Sequence, residues 1–202
     1  MGKELEFKLA AEDAGVLDQV LSDQELTALR TEEVRIYEMR TTYYDTPSGL
    51  FSQRSYTVRR RMENRRSVLC VKAPVPGAAD AKLRGEWETE GEDMSAALPE
   101  LVAMGAPAEL LQAAKEGLVP VCGAAFTRRA VHLQLPDGSV CELACDLGRL
   151  LGRTQELPLW EVELELKQGA ADETRRLADA LCRRYRLHPE PRSKVARARK
   201  LG

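Results

Sequence analysis

The chain has 202 residues, of which 44% are hydrophobic and 31% charged, and its formal net charge is −2. This length and composition predict a single globular domain spanning residues 1–202, with enough apolar residues to form a core. The near balance of 30 basic and 32 acidic residues gives no indication of nucleic acid or an acidic membrane as a partner.

The five cysteines and two histidines exclude several common types of site. The number of cysteines is odd and no two form a Cys-x-x-Cys, which is typical of apolar core residues in a reducing compartment. Two histidines make a His-rich zinc site improbable. Met1–Glu4 begins no apolar targeting segment, and no stretch approaches the ~20 apolar residues of a membrane span. We therefore expect a soluble cytoplasmic protein.

Eight segments with alternating polar and apolar residues predict β-strands, because strand side chains point alternately to two faces. In chain order these segments cover residues 3–9, 34–44, 55–62, 68–73, 82–90, 119–135, 140–146 and 150–167. Turn-forming residues separate many of them, at 45–49, 63–66, 136–139 and 146–149. Helical spacing of apolar residues predicts helices beginning at 11 and covering 23–29, 94–105, 107–116 and 172–186. The predicted class is α+β, mainly β.

The last predicted strand alternates acidic and apolar residues without interruption. Its sequence, WEVELELK over residues 160–167, places Glu161, Glu163 and Glu165 on one face. These carboxylates stand only about 7 Å apart along the strand, because a strand rises about 3.4 Å per residue. They repel one another unless water or cations surround them. The face is therefore either a solvated sheet surface or a cation site.

Charged residues recur on the polar faces of nearly all the predicted strands, which favours the cation site. Acids lie two residues apart at Glu4/Glu6 and at Glu86/Glu88, and bases do so at Arg59/Arg61. Further bases are Lys8, Lys72, Arg84, Arg128, Lys194 and Arg197. Serine and threonine, which populate an ordinary solvated face, are sparse at these positions.

An antiparallel sheet of about eight strands tends to close into a barrel, because closure removes its edges. If the amphipathic helices cover the outside, the charged faces line a tunnel. Fixed charges of both signs suit a ligand that also carries both signs. A polyphosphate chelated to Mg²⁺ or Mn²⁺ is such a ligand, since Arg and Lys bind phosphate oxygens and carboxylates bind hard metals.

Eight short motifs, in order along the chain, resemble those of the CYTH superfamily, the triphosphate tunnel metalloenzymes. They are Glu4–Lys8 (E-x-E-x-K), Tyr44–Pro47 with Leu50, Val58–Arg61, Leu69–Lys72, Arg84–Glu88, Glu142–Gly148, Glu161–Glu165, and Ser193-Lys194 with Arg197. Two positions depart from the family pattern: Val58 replaces the usual leucine, and Ala198 stands where glycine is frequent. The resemblance implies an eight-stranded antiparallel closed β-barrel tunnel, with helices packed outside, that hydrolyses triphosphates with a divalent metal.

The charge pattern and the resemblance together predict roles for the tunnel residues. The bases expected to clamp a linear triphosphate are Lys8, Arg59, Arg61, Lys72, Arg84, Arg128, Lys194 and Arg197. Glu163 and Glu165, with Glu161 nearby, are expected to hold Mg²⁺ or Mn²⁺. Glu4 and Glu6, with Glu88, are expected to hold a second metal or to orient the attacking water. Glu4, Glu6 and Lys8 form the predicted catalytic group.

The leading prediction is hydrolysis of a small molecule, inorganic triphosphate, without nucleic acid or membrane as a partner. A class IV adenylate cyclase, which needs an adenine pocket, and a thiamine triphosphatase, which needs an aromatic platform, remain alternatives. A non-catalytic polyphosphate-binding module is the alternative outside the enzymes, and the many paired acids argue against it. The sequence also leaves open whether Asp45 caps a turn or faces the ligand, and whether Asp146 orients a base or binds metal.

Overall fold

Ten strands form one antiparallel sheet in the computed structural model, which describes residues 2–75 and 84–202, with the backbone alone at residues 2–4. The strands are β1 (Gly2–Glu4), β2 (Glu6–Ala10), β3 (Arg35–Asp45), β4 (Thr57–Glu63), β5 (Arg66–Pro74), β6 (Arg84–Glu90), β7 (Val119–Gln134), β8 (Val140–Leu151), β9 (Glu156–Gln168) and β10 (His188–Pro189). Their order across the sheet is β1-β6-β5-β4-β3-β7-β8-β9-β2-β10. The mainly antiparallel sheet confirms the predicted fold class; residues 82 and 83 of the fifth predicted strand lie outside the described residues.

The helices follow the predicted positions, with two short additions. They are α1 (Gly15–Leu21), α2 (Gln24–Ala28), α3 (Leu50–Gln53), α4 (Met94–Ala103), α5 (Glu109–Ala113), which continues into a 3-10 turn (Ala114–Glu116), α6 (Ala171–Tyr185) and α7 (Lys194–Ala198). The sequence did not predict α3 or α7. Across the described ranges, none of these helices has the length and apolar character needed to cross a membrane.

The N-terminal segment brings the two ends of the sheet together. Glu4 of β1 is in register with Arg84 of β6, and Glu6 of β2 is in register with Glu165 of β9. Between them, the Leu5 carbonyl accepts a hydrogen bond from the β9 backbone at 2.9 Å. The ladder itself stays open, because its end strands β1 and β10 are not paired with each other. The predicted barrel is therefore closed by continuity of the chain and not by a complete ring of hydrogen bonds.

Residues 146–149 do not form the turn that the sequence predicted. Strand β8 runs through them, and the chain reverses only after Leu151. Gly148 is in register with Phe126 of β7, and a Cβ atom at Gly148 would lie 2.2 Å from the Ala125 carbonyl oxygen. The glycine therefore permits close approach of two strands. In the sequence alone, such a glycine cannot be distinguished from one in a turn.

Two apolar layers cover the outside of the sheet, as predicted. Helices α1, α2 and α6 pack on the outer face of β7, β8 and β9, where the buried strand residues are Val131, Leu133, Leu143, Cys145, Val162 and Leu164. Helices α3, α4 and α5 cover β4, β5 and β6 through a second buried set, which includes Leu69, Val71, Trp87, Leu98, Leu101 and Leu110. With their apolar residues covered by helices, these strands direct their charged residues inward.

Helix α7 lies against the sheet's inner face. Its Ala198 belongs to a small apolar cluster with Met39, Ala124, Phe126, Leu150 and Leu159. These strand residues alternate with outward-facing ones, so one part of the interior is filled by an apolar plug. The C-terminal segment thereby brings Lys194 and Arg197 to the inward-facing acids of β8 and β9.

Candidate active site

A cavity of about 1130 Å³ occupies the interior of the curved sheet and extends to helix α6, where Arg175, Asp179 and Cys182 also line it. Most of the predicted site residues line it: Glu6, Lys8, Arg59, Arg61, Lys72, Arg84, Glu88, Arg128, Glu163, Glu165 and Lys194. Glu161 and Arg197 do not line it and are buried where α7 meets β9. The side chain of Glu4, the remaining predicted residue, lies outside the described residues.

One wall of the cavity, formed by β4, β5 and β6, is rich in bases. Arg59 lies 3.4 Å from Glu86 and 3.7 Å from Glu88, and Lys72 lies 3.2 Å from Glu86. Burial favours the neutral form of Glu86, but Lys72 and Arg59 more than offset it and lower the pKa of this carboxyl to about 2. Arg61 also reaches Glu88, at 3.6 Å. Each of the two glutamates on this wall therefore contacts two bases, and the wall presents fixed positive charge to the cavity.

Two guanidinium groups on this wall retain unused donors. The Nε atoms of Arg59 and Arg61 are buried and, within the described part of the chain, have no hydrogen-bond partner. A buried donor without an acceptor is energetically unfavourable by about 1–3 kcal/mol. Both side chains line the cavity, so an anion with several oxygen atoms would supply the acceptors.

Cys70 and Arg84 complete the basic wall without adding a nucleophile. The Cys70 thiol donates to Glu86 at 3.3 Å, and burial raises the pKa of Cys70 to about 12. Arg84 donates to the backbone carbonyls of Ser55 and Lys72. One ligand atom each of Cys70, Glu86 and Glu88 lies within 4.8 Å of the others. Arg59 contacts both of these glutamates and Lys72 contacts Glu86, so the acids of this cluster also hold the bases of the wall in place.

The opposite wall, formed by β2, β8 and β9, is rich in acids. Register places Glu6 beside Glu165 and Lys8 beside Glu163, on neighbouring strands. Lys8 donates to Glu6 at 2.9 Å, and Lys167 contacts Glu165 at 2.7 Å. Carboxylates from adjacent strands that face one cavity are the hard oxygen ligands that Mg²⁺ and Mn²⁺ prefer. The residues present therefore fit a divalent metal.

Beside the cavity, where α7 meets β8 and β9, three carboxyl groups surround one ammonium group, and only one of the three, that of Glu163, lines the cavity. Lys194 Nζ lies 2.9 Å from Asp146 Oδ2 and 2.7 Å from Glu163 Oε1, and it also contacts Glu161. We call Asp146, Glu161 and Glu163 the acid socket. Two further bases close the network: Arg128 forms two bonds of 2.8 Å to Asp146 and also contacts Glu163, and Arg197 contacts Glu161.

The two glutamates of the acid socket have pKa values shifted in opposite directions. Burial raises the pKa of Glu161 to about 7. Burial acts in the same direction on Glu163, but Lys194 and Arg128 more than offset it and hold the pKa of Glu163 well below its usual range. Glu163 is thus the firmly ionised glutamate that also lines the cavity, whereas Glu161 is turned toward the C-terminal bases.

The third wall, formed by β3 and part of β7, carries no charge at its inward positions that line the cavity, apart from Arg128. The lining residues here are Tyr37, Met39, Thr41, Tyr43, Phe126 and Ala130. The expectation that charged faces line the whole tunnel is therefore too broad. The alternation of β3 predicted a strand, but its residues gave no sign of which face was inward.

Two charged residues that line the cavity were not predicted, although they continue the alternating series of predicted residues. Glu63 continues the inward series of Arg59 and Arg61, and Lys167 continues that of Glu163 and Glu165. Extending each series by one step would have found both. Asp45, by contrast, is fully buried and accepts backbone hydrogen bonds from the following turn and one at 2.6 Å from Arg199. It does not line the cavity, so its structural role is that of a cap.

Comparison with known proteins agrees with this architecture. The protein HpAC1 from Hippeastrum, described with a dominant triphosphatase activity, has a TM-score of 0.57 and 16% identity over 98% of this chain and 96% of its own. The PH1819 protein from Pyrococcus horikoshii OT3 has a TM-score of 0.53 and 23% identity over 96% of each chain. At these identities the likeness shows the fold alone. A search of the curated proteins found no match. The CYTH domain model matches residues 2–198, and the chain therefore belongs to the CYTH family.

Proposed function

We propose that this chain is a divalent-metal-dependent triphosphatase that cleaves inorganic triphosphate to pyrophosphate and phosphate. The observation that carries the proposal is the pair of buried Nε donors of Arg59 and Arg61, which face a cavity that also holds carboxylates. A triphosphate with its metal would supply acceptors to the former and a cation to the latter. Membership of the CYTH family and the triphosphatase activity described for HpAC1, a candidate adenylyl cyclase, support a reaction on a triphosphate.

The basic wall binds and orients the phosphate chain in this proposal. Arg59, Arg61 and Lys72 contact its oxygens, and Arg84 holds the end of this wall through the Ser55 carbonyl. Lys8 reaches the phosphate chain from the opposite wall. Without substrate, the remaining three bases contact the carboxyl groups of the acid socket; they are Arg128, Lys194 and Arg197. Such positioning and charge neutralisation is the main protein contribution to phosphoryl transfer.

Glu163, Glu165 and Glu6 are the residues that we propose to hold Mg²⁺ or Mn²⁺, with Glu4 and Glu88 completing the metal and water environment. When bound, the metal neutralises charge on the phosphate oxygens. Glu161 is kept as a weaker candidate because α7 covers it. We further propose that residues 1–202 form one domain of a cytoplasmic protein that takes only small-molecule substrates.

A second candidate is a reaction on a triphosphate that carries an organic group, such as cyclisation of ATP. The uncharged wall favours it, because Tyr37, Met39 and Phe126 offer the apolar surface that a base or a thiazolium ring requires. Thiamine triphosphate belongs to the same class of ligand.

One experiment separates these candidates. The purified protein is incubated with Mg²⁺ or Mn²⁺ and, separately, with triphosphate, ATP and thiamine triphosphate, and orthophosphate, pyrophosphate and cyclic AMP are measured. We expect orthophosphate and pyrophosphate from triphosphate as the fastest reaction. Cyclic AMP as the main product from ATP would replace the leading proposal by the second, and no turnover of any substrate would contradict both.

The same assay includes two matched arginine variants. Arg59→Met removes a donor that lines the cavity, whereas Arg60→Met removes its neighbour, which contacts Ser67 and Glu92 instead. We expect kcat to fall about 10²–10³-fold for Arg59→Met, as for loss of one oxyanion donor, and to stay near the unsubstituted value for Arg60→Met. Equal rates for the two variants would contradict the placement of the phosphate chain.

A further inference from the structure

Lys194 occupies the position in which a cation would be expected among Asp146, Glu161 and Glu163. One ligand atom from each of these three residues lies within 4.8 Å of the other two, a spacing that suits a bound metal ion. The ammonium group of Lys194 instead contacts all three, and its side chain is only 10% exposed. Three carboxyl groups within contact distance favour the charged form of this ammonium group. The lysine is therefore a charged, internal cation.

The side chain of Lys194 is also more flexible than those of the arginines beside it. Its ammonium is a point charge on a flexible four-carbon stem, whereas Arg128 is fixed to Asp146 by two parallel bonds. The same Lys194 side chain lines the cavity, and its Nζ lies 5.4 Å from the centre of the Phe126 ring. An ammonium group displaced from the acid socket can therefore move into the cavity, which also contains the bases and acids of the two charged walls.

We propose that Lys194 is an exchangeable internal cation: a divalent metal that binds Glu163 displaces the lysine from the acid socket, and the displaced ammonium then binds the phosphate chain. This inference rests on the proposed function for the anion, but the displacement itself needs only the metal. In this exchange Lys194 alternates between two partners, the acid socket and the phosphate chain.

The exchange predicts that metal and anion bind cooperatively. With metal alone the displaced ammonium lacks an anionic partner, and with anion alone the buried carboxyl groups lack their ammonium, so each singly bound state is less favourable than the state with both ligands. When both ligands bind, every buried charge has a partner. By linkage, each ligand raises the affinity of the other by the same factor.

The decisive measurement is the affinity of the protein for Mn²⁺ alone, from the electron paramagnetic resonance signal of free Mn²⁺ during titration. Lys194→Met removes the competing cation, so we expect its Mn²⁺ affinity to be at least tenfold higher than that of the unsubstituted chain. Lys194→Arg, which keeps the charge, should stay close to the unsubstituted chain. Lys115→Met makes the same chemical change at an exposed position outside the cavity and should have no effect.

A folded Lys194→Met variant that binds Mn²⁺ no more tightly than the unsubstituted chain would overturn the proposal. If that variant does not fold, the unsubstituted chain still decides the question. With ¹⁵N-labelled lysine, the buried ammonium of Lys194 should give a slowly exchanging signal, assigned by its absence in Lys194→Arg. Saturating Mg²⁺ should abolish this signal, and its persistence would contradict the exchange.

The result is separable from the triphosphatase assay. If Mn²⁺ alone displaces Lys194 but no triphosphate is hydrolysed or bound, the exchange stands and the proposed function fails. If triphosphate is hydrolysed while Lys194 stays in the acid socket with metal bound, the proposed function stands and the exchange fails.

Discussion

Asp23 shows how one buried carboxylate joins distant segments of the chain. It caps α2 through backbone hydrogen bonds, and its other oxygen accepts bonds of 2.6 Å from both Arg184 and Tyr185 of α6. Burial raises the pKa of Asp23, but the bonds from Tyr185 and Arg184 more than offset it and lower this pKa to about 2. The residue therefore stabilises the fold only while it is ionised.

This shift predicts a specific pH dependence of stability. Because the folded pKa of Asp23 lies below its unfolded value of about 3.9, its contribution is complete above roughly pH 5 and is lost as the pH falls toward 2. We expect Asp23→Asn to lower the free energy of unfolding by about 1–2 kcal/mol at pH 7, a figure reduced because Arg184 is partly exposed. Urea unfolding from pH 7 to pH 3 measures it.

The comparison variant for this experiment is Asp179→Asn, an exposed position on α6. Its free energy of unfolding should differ from that of the unsubstituted chain by a small and nearly constant amount. A difference for Asp23→Asn that stays constant from pH 7 to pH 3 would show that the carboxylate charge is not the stabilising feature.

Among the elements, the pairing of β7 with β8 depends on a single glycine. In Gly148→Ala the new methyl group would lie 2.2 Å from the Ala125 carbonyl oxygen and 2.5 Å from Phe126 Cα, so the two strands must separate. We expect a loss of roughly 3 kcal/mol or more in the free energy of unfolding, as for severe overpacking. Thermal and urea unfolding would measure it.

Gly138→Ala is the matched control, because it tests backbone conformation without a collision. Gly138 has a φ of +84° and nothing within 4 Å of an added Cβ atom. Its substitution should cost about 1–2 kcal/mol, the penalty of the left-handed region for an L-residue. If both alanine variants lost the same stability, close approach of the strands would not be the reason for Gly148.

The sequence could predict elements whose signal is local. Alternation along residues 160–167 predicted β9 and its inward glutamates, and helical spacing over 23–29 predicted α2, for which Asp23 is the N-cap. Prediction from the sequence failed where a structure depends on contact with a residue far away in the chain. Gly148 looks like a turn residue until Ala125 is known to lie against it, and the contact of Lys194 at the start of α7 with Glu161 of β9 is not visible in the local sequence.

At the scale of the molecule, the same distinction separates what could be predicted of the site. Alternation and charge identified most of the charged strand residues that line the cavity, because inward positions repeat every two residues. They could not show that Lys194 and Arg197 bind acids of the same chain, since these contacts join residues 31–36 positions apart. Nor could they show the uncharged wall, because Tyr37 and Met39 suit either face of a strand.

The position of the N-terminal segment at both ends of the sheet also has a consequence for folding. Strand β2 pairs with β9, which is far away in sequence, and Glu6 is in register with Glu165. Such a long sequence separation slows folding, and until β9 arrives the sheet keeps open edges that can bind other chains. We expect pulsed hydrogen exchange during refolding to protect the β4–β5 hairpin before β2, and the reverse order would contradict this. The charged interior is therefore complete only when β2 has paired with β9.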